Sequence, residues 1–403
     1  MTAPVSEYVT PRLRRVDEPS TSLGIVALPC TMMRGGTSRG AFFSAADLPR
    51  DVGLRDRVLL AAMGSPHPLQ VDGIGGGNSL TSKVAIVGPP SDPRADVDYL
   101  FAQVSVDQAM VDTKAACGNI LAAVGPFAIE AGLVATGSPF TVVHIHNLNS
   151  GTITVATLST PWGRLRYDGD QTIAGCAASA APVRLSFVDA AGAMTGRLLP
   201  SGRVVEAIDG IPVSLVDYAI PVMIVEASRF GLSGRETPAE IDANRSLLDT
   251  IEQVRRVAGR RMGLGDVSRS VTPKVALVSP PRNGGTIASR YLTPWHCHLS
   301  HAVTGALCLT AASRLAGSVA AAVAVPTAVG SNVEVEHPAG ALRVDFDGSG
   351  EELVTSVVRT ARLLFKGHVY VPEDVFQLDA PNEADGARKS SPADAFSAST
   401  IAG

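Results

Sequence analysis

The chain has 403 residues, a net charge of −4 and only 18% charged residues, so it lacks the basic surplus that a nucleic acid or an anionic membrane would require. That length allows two domains, each with its own core. Cys30, Cys117, Cys176, Cys297 and Cys308 are scattered and include no CxxC pair, which excludes the usual zinc and disulfide frameworks and suits a reduced, cytoplasmic setting. Residues 1–22 read as a polar, flexible arm without the apolar core of a signal peptide. Gly24 to Thr31 reads as a strand that runs into a glycine-rich turn, Met33 to Gly40, before Ala41-Phe42-Phe43 resumes a strand. A short helix follows near Leu54 to Met63, then a second glycine-rich loop, Gly64 to Lys83, and strands at Val84 to Val87 and Asp98 to Val106.

The stretch from Cys117 to Gly132 is apolar on every face, and between Ile120 and Ala131 its only charge is Glu130. Such a run predicts a helix buried on all sides, too short to span a bilayer and wrapped by the flanking strands. Phe140 to His146 and Thr152 to Leu158 read as a hairpin, with further strands at Arg184 to Val188 and Val204 to Ala207. Val213 to Val225 reads as one strand. Thr237, Pro238 and Glu240 form a capping box that opens a helix with Ile241, Leu248, Ile251, Val254 and Ala258 inward. On the same helix Arg255, Arg256, Arg260 and Arg261 read as a solvated face.

A strand at Val275 to Val278 precedes a second apolar run, Val303 to Val325, which starts on the small residues Thr304 and Gly305. Val333 to Phe346 reads as a strand pair turning at His337 to Gly340, and Glu352 to Phe365 fits a strand or a helix. The expected plan is an α+β molecule of two similar halves, residues 23–200 and 201–376, with a disordered tail at 377–403. Each half wraps a sheet around its own helix. The helix N-termini face a cleft that suits a small polycarboxylate.

Neither glycine-rich loop has the order of a dinucleotide or Walker site. Both carry small donors beside glycine: Arg34, Gly35, Gly36, Thr37 and Ser38 in the first, Asn78, Ser79, Thr81 and Ser82 in the second. That composition suits carboxylate capture or, equally, tight turns. Lys83, where the loop meets an apolar strand, reads either as a desolvated base or as a lysine whose stem packs on the sheet. Cys117, before Gly118 and Asn119 at a helix start, reads either as a reactive thiol or as an inert core residue. The pairs His144/His146 and His296/His298 lack a matching third ligand, so no metal is expected.

Four segments, MRGGTSRGAFF, DGIGGGNSLTSK, DVDYLFAQVSVDQ and CGN, occur in the order and spacing of the PrpF-like isomerases. HLSHAVTGALC, VEHPAG and KGHVYVP continue the resemblance, which runs from about Leu28 to Pro372. It implies the diaminopimelate epimerase-like fold: two similar domains, each a barrel-like sheet around a central helix. It also implies an isomerase that needs no cofactor and moves a proton along an allyl system in an unsaturated di- or tricarboxylic acid. The substrates of that group are aconitate-, methylaconitate-, methylitaconate- or oxalomesaconate-like. By the same resemblance Lys83 and Cys117 are catalytic, and the two loops with Gly118 and Asn119 bind substrate; Thr304 and Gly305, at the helix start that faces the cleft from the other half, are expected to bind it too. The racemases and epimerases of this fold carry a second cysteine where this chain has Ala302, which weighs against a symmetric two-thiol racemase. The competing expectation is an accessory protein for an aconitase-like dehydratase. No nucleic-acid or membrane partner is expected, and a homodimer is compatible with the sequence.

Overall fold

The computed structural model describes residues 23–114, 117–326 and 332–377. The expected N-terminal arm and all but the first residue of the expected tail lie outside them. The first half runs through β1 (Ile25–Gly35), β2 (Ser38–Ser44), α1 (Val52–Met63), β3 (Lys83–Gly88), β4 (Val97–Val104) and β5 (Val111–Asp112). It continues with α2 (Gly118–Leu121), α3 (Val124–Glu130), β6 (Phe140–Asn147), β7 (Thr152–Ser159) and β8 (Pro182–Phe187). Then come β9 (Glu206–Ile208), β10 (Ile211–Tyr218), β11 (Ile220–Glu226), α4 (Pro238–Ala243), α5 (Arg245–Arg261), β12 (Lys274–Ser279) and β13 (Ile287–Leu292). The described chain closes with α6 (Val303–Ser313), α7 (Val319–Val323), β14 (Asn332–His337), β15 (Gly340–Asp347) and β16 (Val354–Pro372).

All sixteen strands belong to one continuous sheet. β1-β2-β3-β4-β6-β7-β8-β16 forms a ring, closed because β16 pairs with both β8 and β1. From the first part of β16 the sheet continues through β15, β14, β13, β12, β11, β10 and β9. The two arms repeat one pairing scheme. β2 runs parallel to β3 and β11 to β12, while β4 runs parallel to β6 and β13 to β14. The segment α2–α3 fills the ring, and α6 with α7 packs inside the second arm. The architecture is the diaminopimelate epimerase-like fold.

Four local expectations are corrected. The central helix is broken between α2 and α3, because Pro126 in an unbroken helix would lack an N–H for the Ala122 carbonyl and push its ring against it. Restarting at Val124 places Pro126 in the first turn, where no such bond is needed. Val213 to Val225 is a hairpin, reversed by Ala219 at φ 60° between Tyr218 and Ile220. The first glycine-rich segment is mostly strand: Gly35 pairs with Ser38, leaving only Gly36 and Thr37 as the turn. Arg255 is fully buried rather than solvated. Its guanidinium binds both Glu252 carboxylate oxygens (2.6 and 2.8 Å) and donates to the carbonyls of Val267 and Pro273. The capping box at Thr237 and the inward face of Ile241, Leu248, Ile251, Val254 and Ala258 stand as expected. The segment expected as strand or helix, Glu352 to Phe365, is strand from Val354 onward.

Candidate active site

Lys83 is the first residue of β3, and burial leaves it 8% exposed. Its Nζ donates to Gln103 Oε1 at 2.6 Å and lies 5.1 Å from the centre of the Phe101 ring. Gln103 is itself fixed, its amide donating to the carbonyls of Ser82 (2.7 Å) and Ser79 (3.3 Å). Burial lowers the Lys83 pKa from its ordinary value, and the interaction with Cys117 opposes that shift in part. Cys117 caps the N-terminus of α2, partly exposed, and its carbonyl accepts from the Tyr99 hydroxyl at 3.4 Å. Ala302 caps α6 in the equivalent place. The two helix starts abut: a Cβ on Gly118 would stand 2.7 Å from the Val303 side chain.

Asn119 joins the parts of the site. Its Oδ1 accepts from the Thr37 N–H (3.4 Å) and Arg359 Nη2 (3.5 Å), and its Nδ2 donates to the His301 carbonyl (3.4 Å). Gly36 holds φ +51° directly against that side chain, so a Cβ there would collide with Asn119 Oδ1, and one on Gly35 with the Asn119 carbonyl. Arg34 ties the turn to β16, donating to the Gly36 carbonyl and to both oxygens of Thr360.

Around Asn119 stand buried polar atoms with no partner in the described structure: Thr37 Oγ1, Ser38 Oγ, Ser300 Oγ, His337 Nε2 and Arg359 Nε. Thr37 and Ser300 both border Gly175, as does Ala339 on the turn after His337. His337 accepts the Ala339 N–H on Nδ1, so its neutral ring keeps the proton on Nε2. Burial pushes its pKa down to about 3 and that of neighbouring His301 to about 4. His298, also buried and accepting an N–H on Nδ1, is held well below the ordinary histidine value. These rings are neutral donors at pH 7. An unpaired buried donor costs about 1–3 kcal/mol, so such a group of donors is built for an anion or for water.

The expected residues divide in two. Lys83, Cys117, Gly118, Asn119, Thr37 and Ser38 come together, with Thr304 at the start of α6. In the second loop the side chains serve the loop itself. Asn78 accepts from the Leu80 N–H and donates to the Gly76 carbonyl, and Thr81 donates to the Asn78 carbonyl. The Ser82 hydroxyl joins Gln70 and the Val104 carbonyl, while Ser79 acts through its carbonyl on Gln103. Gly305 lies beneath the Tyr291 ring. His144 and His146 sit on the outer side of β6, paired with Asp96 and Asp98, and His296 turns out to Asp242. Sequence reasoning missed Gln103, Asp112, Lys274, Ser300, His337 and Arg359. One signal was available: Lys-Val-Ala-Ile-Val opens β3 and Lys-Val-Ala-Leu-Val opens β12.

A ring closed around a buried helical segment, duplicated in plan, with a desolvated lysine near a cysteine at the helix start, defines an isomerase of the diaminopimelate epimerase-like class. The comparisons agree. The family model described as PrpF protein matches residues 25–372. The chain is 46% identical over 346 residues to the (4E)-oxalomesaconate Delta-isomerase of Novosphingobium sp. (strain KA1), covering 85% of this chain and 97% of that protein. It is 46% identical over 357 residues to the 4-oxalomesaconate tautomerase of Pseudomonas putida, covering 88% and 99%. Among solved structures, a methylitaconate-delta-isomerase superimposes with a TM-score of 0.73 at 36% identity, covering 89% of this chain and 98% of that one. The chain belongs to the PrpF family.

Proposed function

We propose that the protein shifts a double bond, or interconverts its geometry, in an unsaturated di- or tricarboxylic acid, by allylic proton transfer and without a cofactor. Neutral Lys83 removes a proton from the carbon next to the C=C. The C–H electron pair enters the allyl system as a dienolate, delocalised into the adjoining carboxylate or keto group. A proton then returns at the far carbon, delivered by Cys117 or from the Lys83 ammonium, and the net composition is unchanged. A substrate carboxylate sits among Thr37, Ser38, Ser300, His337 and Arg359, whose unpaired donors it would satisfy. The observation that supports the reading is the buried amine of Lys83, held by Gln103 and within electrostatic reach of Cys117. The names of relatives, which specify oxalomesaconate and methylitaconate, support the substrate class.

The test is proton NMR in D2O with cis- and trans-aconitate, 2-methylaconitate, 3-methylitaconate and the keto form of 4-oxalomesaconate. Bond migration or cis–trans conversion, with deuterium entering an allylic carbon, is the expected result for one of them. Lys83→Met should lower kcat by about 10²–10⁴-fold or more with an unchanged circular dichroism spectrum. Substantial turnover by the folded variant would refute Lys83 as the base. No change in any acid would transfer the weight to an accessory role.

A further inference from the structure

Lys274 is the counterpart of Lys83 in the duplicated plan. Lys83 stands opposite Gly40 of the parallel strand β2 and opens β3; Lys274 stands opposite Val222 of the parallel strand β11 and opens β12. Both are 8% exposed. They differ in one respect that matters. Lys83 Nζ is held by Gln103, whereas Lys274 Nζ has no hydrogen-bond or ion-pair partner among the described residues. The charged and titratable groups that act on it come from every side of the site: Asp112 on β5, Lys83 on β3, Cys117 before α2 and Arg255 on α5. Asp112 lies opposite Gln103 in the β4–β5 pair, so Lys274 approaches the end of the site that holds the base. Burial, with Lys83 and Arg255, brings its pKa down to about 7 although Asp112 opposes the shift, and no hydrogen bond holds the ammonium.

Resting on the allylic-isomerase reading, we infer that Lys274 is the second cationic pole of the site: its ammonium takes the substrate carboxylate adjoining the carbon that Lys83 deprotonates, and holds the charge of the dienolate. Lys274 remains protonated throughout; it neither gains nor loses a proton in the step. The anionic substrate adds negative charge to that of Asp112 beside Lys274, so binding favours the ammonium there. With Lys274 at one end and the Thr37, Ser300 and Arg359 donors at the other, the substrate must carry at least two carboxylates.

The experiment uses the full chain and two readouts. In the turnover assay, Lys274→Met should lower kcat/KM by about 10²–10³-fold, the loss typical of removing one donor to a developing anion. Lys274→Arg should recover at least about tenfold of that loss by restoring the cation. The wild-type kcat/KM should fall as pH rises through the Lys274 pKa, and that alkaline limb should vanish in Lys274→Met. The second readout needs no turnover: calorimetric binding of propane-1,2,3-tricarboxylate to Lys83→Met and to the Lys83→Met/Lys274→Met double variant, where the Kd should rise at least about tenfold. Folded variants that keep kcat/KM, pH profile and Kd within about threefold of their parents overturn the inference. Weakened tricarboxylate binding in a protein that isomerises none of the acids refutes the allylic reading and keeps Lys274 as a carboxylate ligand.

Discussion

At the scale of single residues, burial pushes the titratable groups of the site towards their neutral forms. Lys83 and Lys274 are lysines lowered by burial, and His298, His301 and His337 are rings kept neutral. The Lys274 shift makes a stability prediction with a definite sign. A folded pKa of about 7 against 10.5 means that the unfolded chain binds the extra proton between those values, so stability from this group rises with pH across that window. Below pH 7 its cost is full, on the order of a few kcal/mol. Lys274→Met should therefore melt higher than the wild type at pH 6, with the gap narrowing towards pH 10; thermal melts at each pH check this. Gly36→Ala tests the opposite kind of constraint. Its positive φ and the contact with Asn119 should make alanine destabilising by roughly 1–3 kcal/mol, read by urea denaturation, with a loss of turnover because Asn119 moves.

At the scale of elements, α5 positions β12. Its apolar stripe packs on the second arm, and Arg255 projects from it to the Pro273 carbonyl, one residue before Lys274. Arg255→Leu would leave the Val267 and Pro273 carbonyls without their donor and Glu252 without its partner. Because Glu252 is partly exposed and can rehydrate, the expected loss is about 2–4 kcal/mol, measured as a drop in the urea midpoint at unchanged slope. The legibility of elements followed their physics. The capping box that opens α4 and the apolar stripe that continues through α5 are written in local spacing, so the inward face was legible; the break at Asn244 between the two helices was not. The burial of Arg255 was not, because a guanidinium among charged neighbours has the pattern of a wet surface; Glu252 and the carbonyls of the loop after α5 together keep it inside. The single-residue turn at Ala219 was hidden for a similar reason: alanine carries no turn signal, and two buried strands in tandem read as one.

At the scale of the whole molecule, the sheet ties the halves together. Residues 361–372 pair with β1 and residues 355–360 with β8, so the ring around α2 and α3 closes only when the last strand arrives. Truncation after residue 353 should leave β1 and β8 without their shared neighbour, exposing their backbone groups. The expected outcome is loss of the cooperative thermal transition and of soluble protein, measured by circular dichroism and size exclusion. A truncated chain that melts cooperatively near the full-length temperature would contradict this dependence.

The sequence by itself determined the α+β class, the two buried helical segments and the family, because apolar runs and ordered motifs are local properties. It did not determine which donors meet. Arg359 reaches Asn119 across 240 positions, and Thr37, Ser300 and His337 converge from three separate loops and strands. Nor did it reveal that Asn78, Thr81 and Ser82 turn inward on their own loop while Lys274 stands unpaired. Those outcomes depend on strand register and on closure of the ring by β16. Both are set by long-range pairing and burial, which leave no spacing in the chain to read.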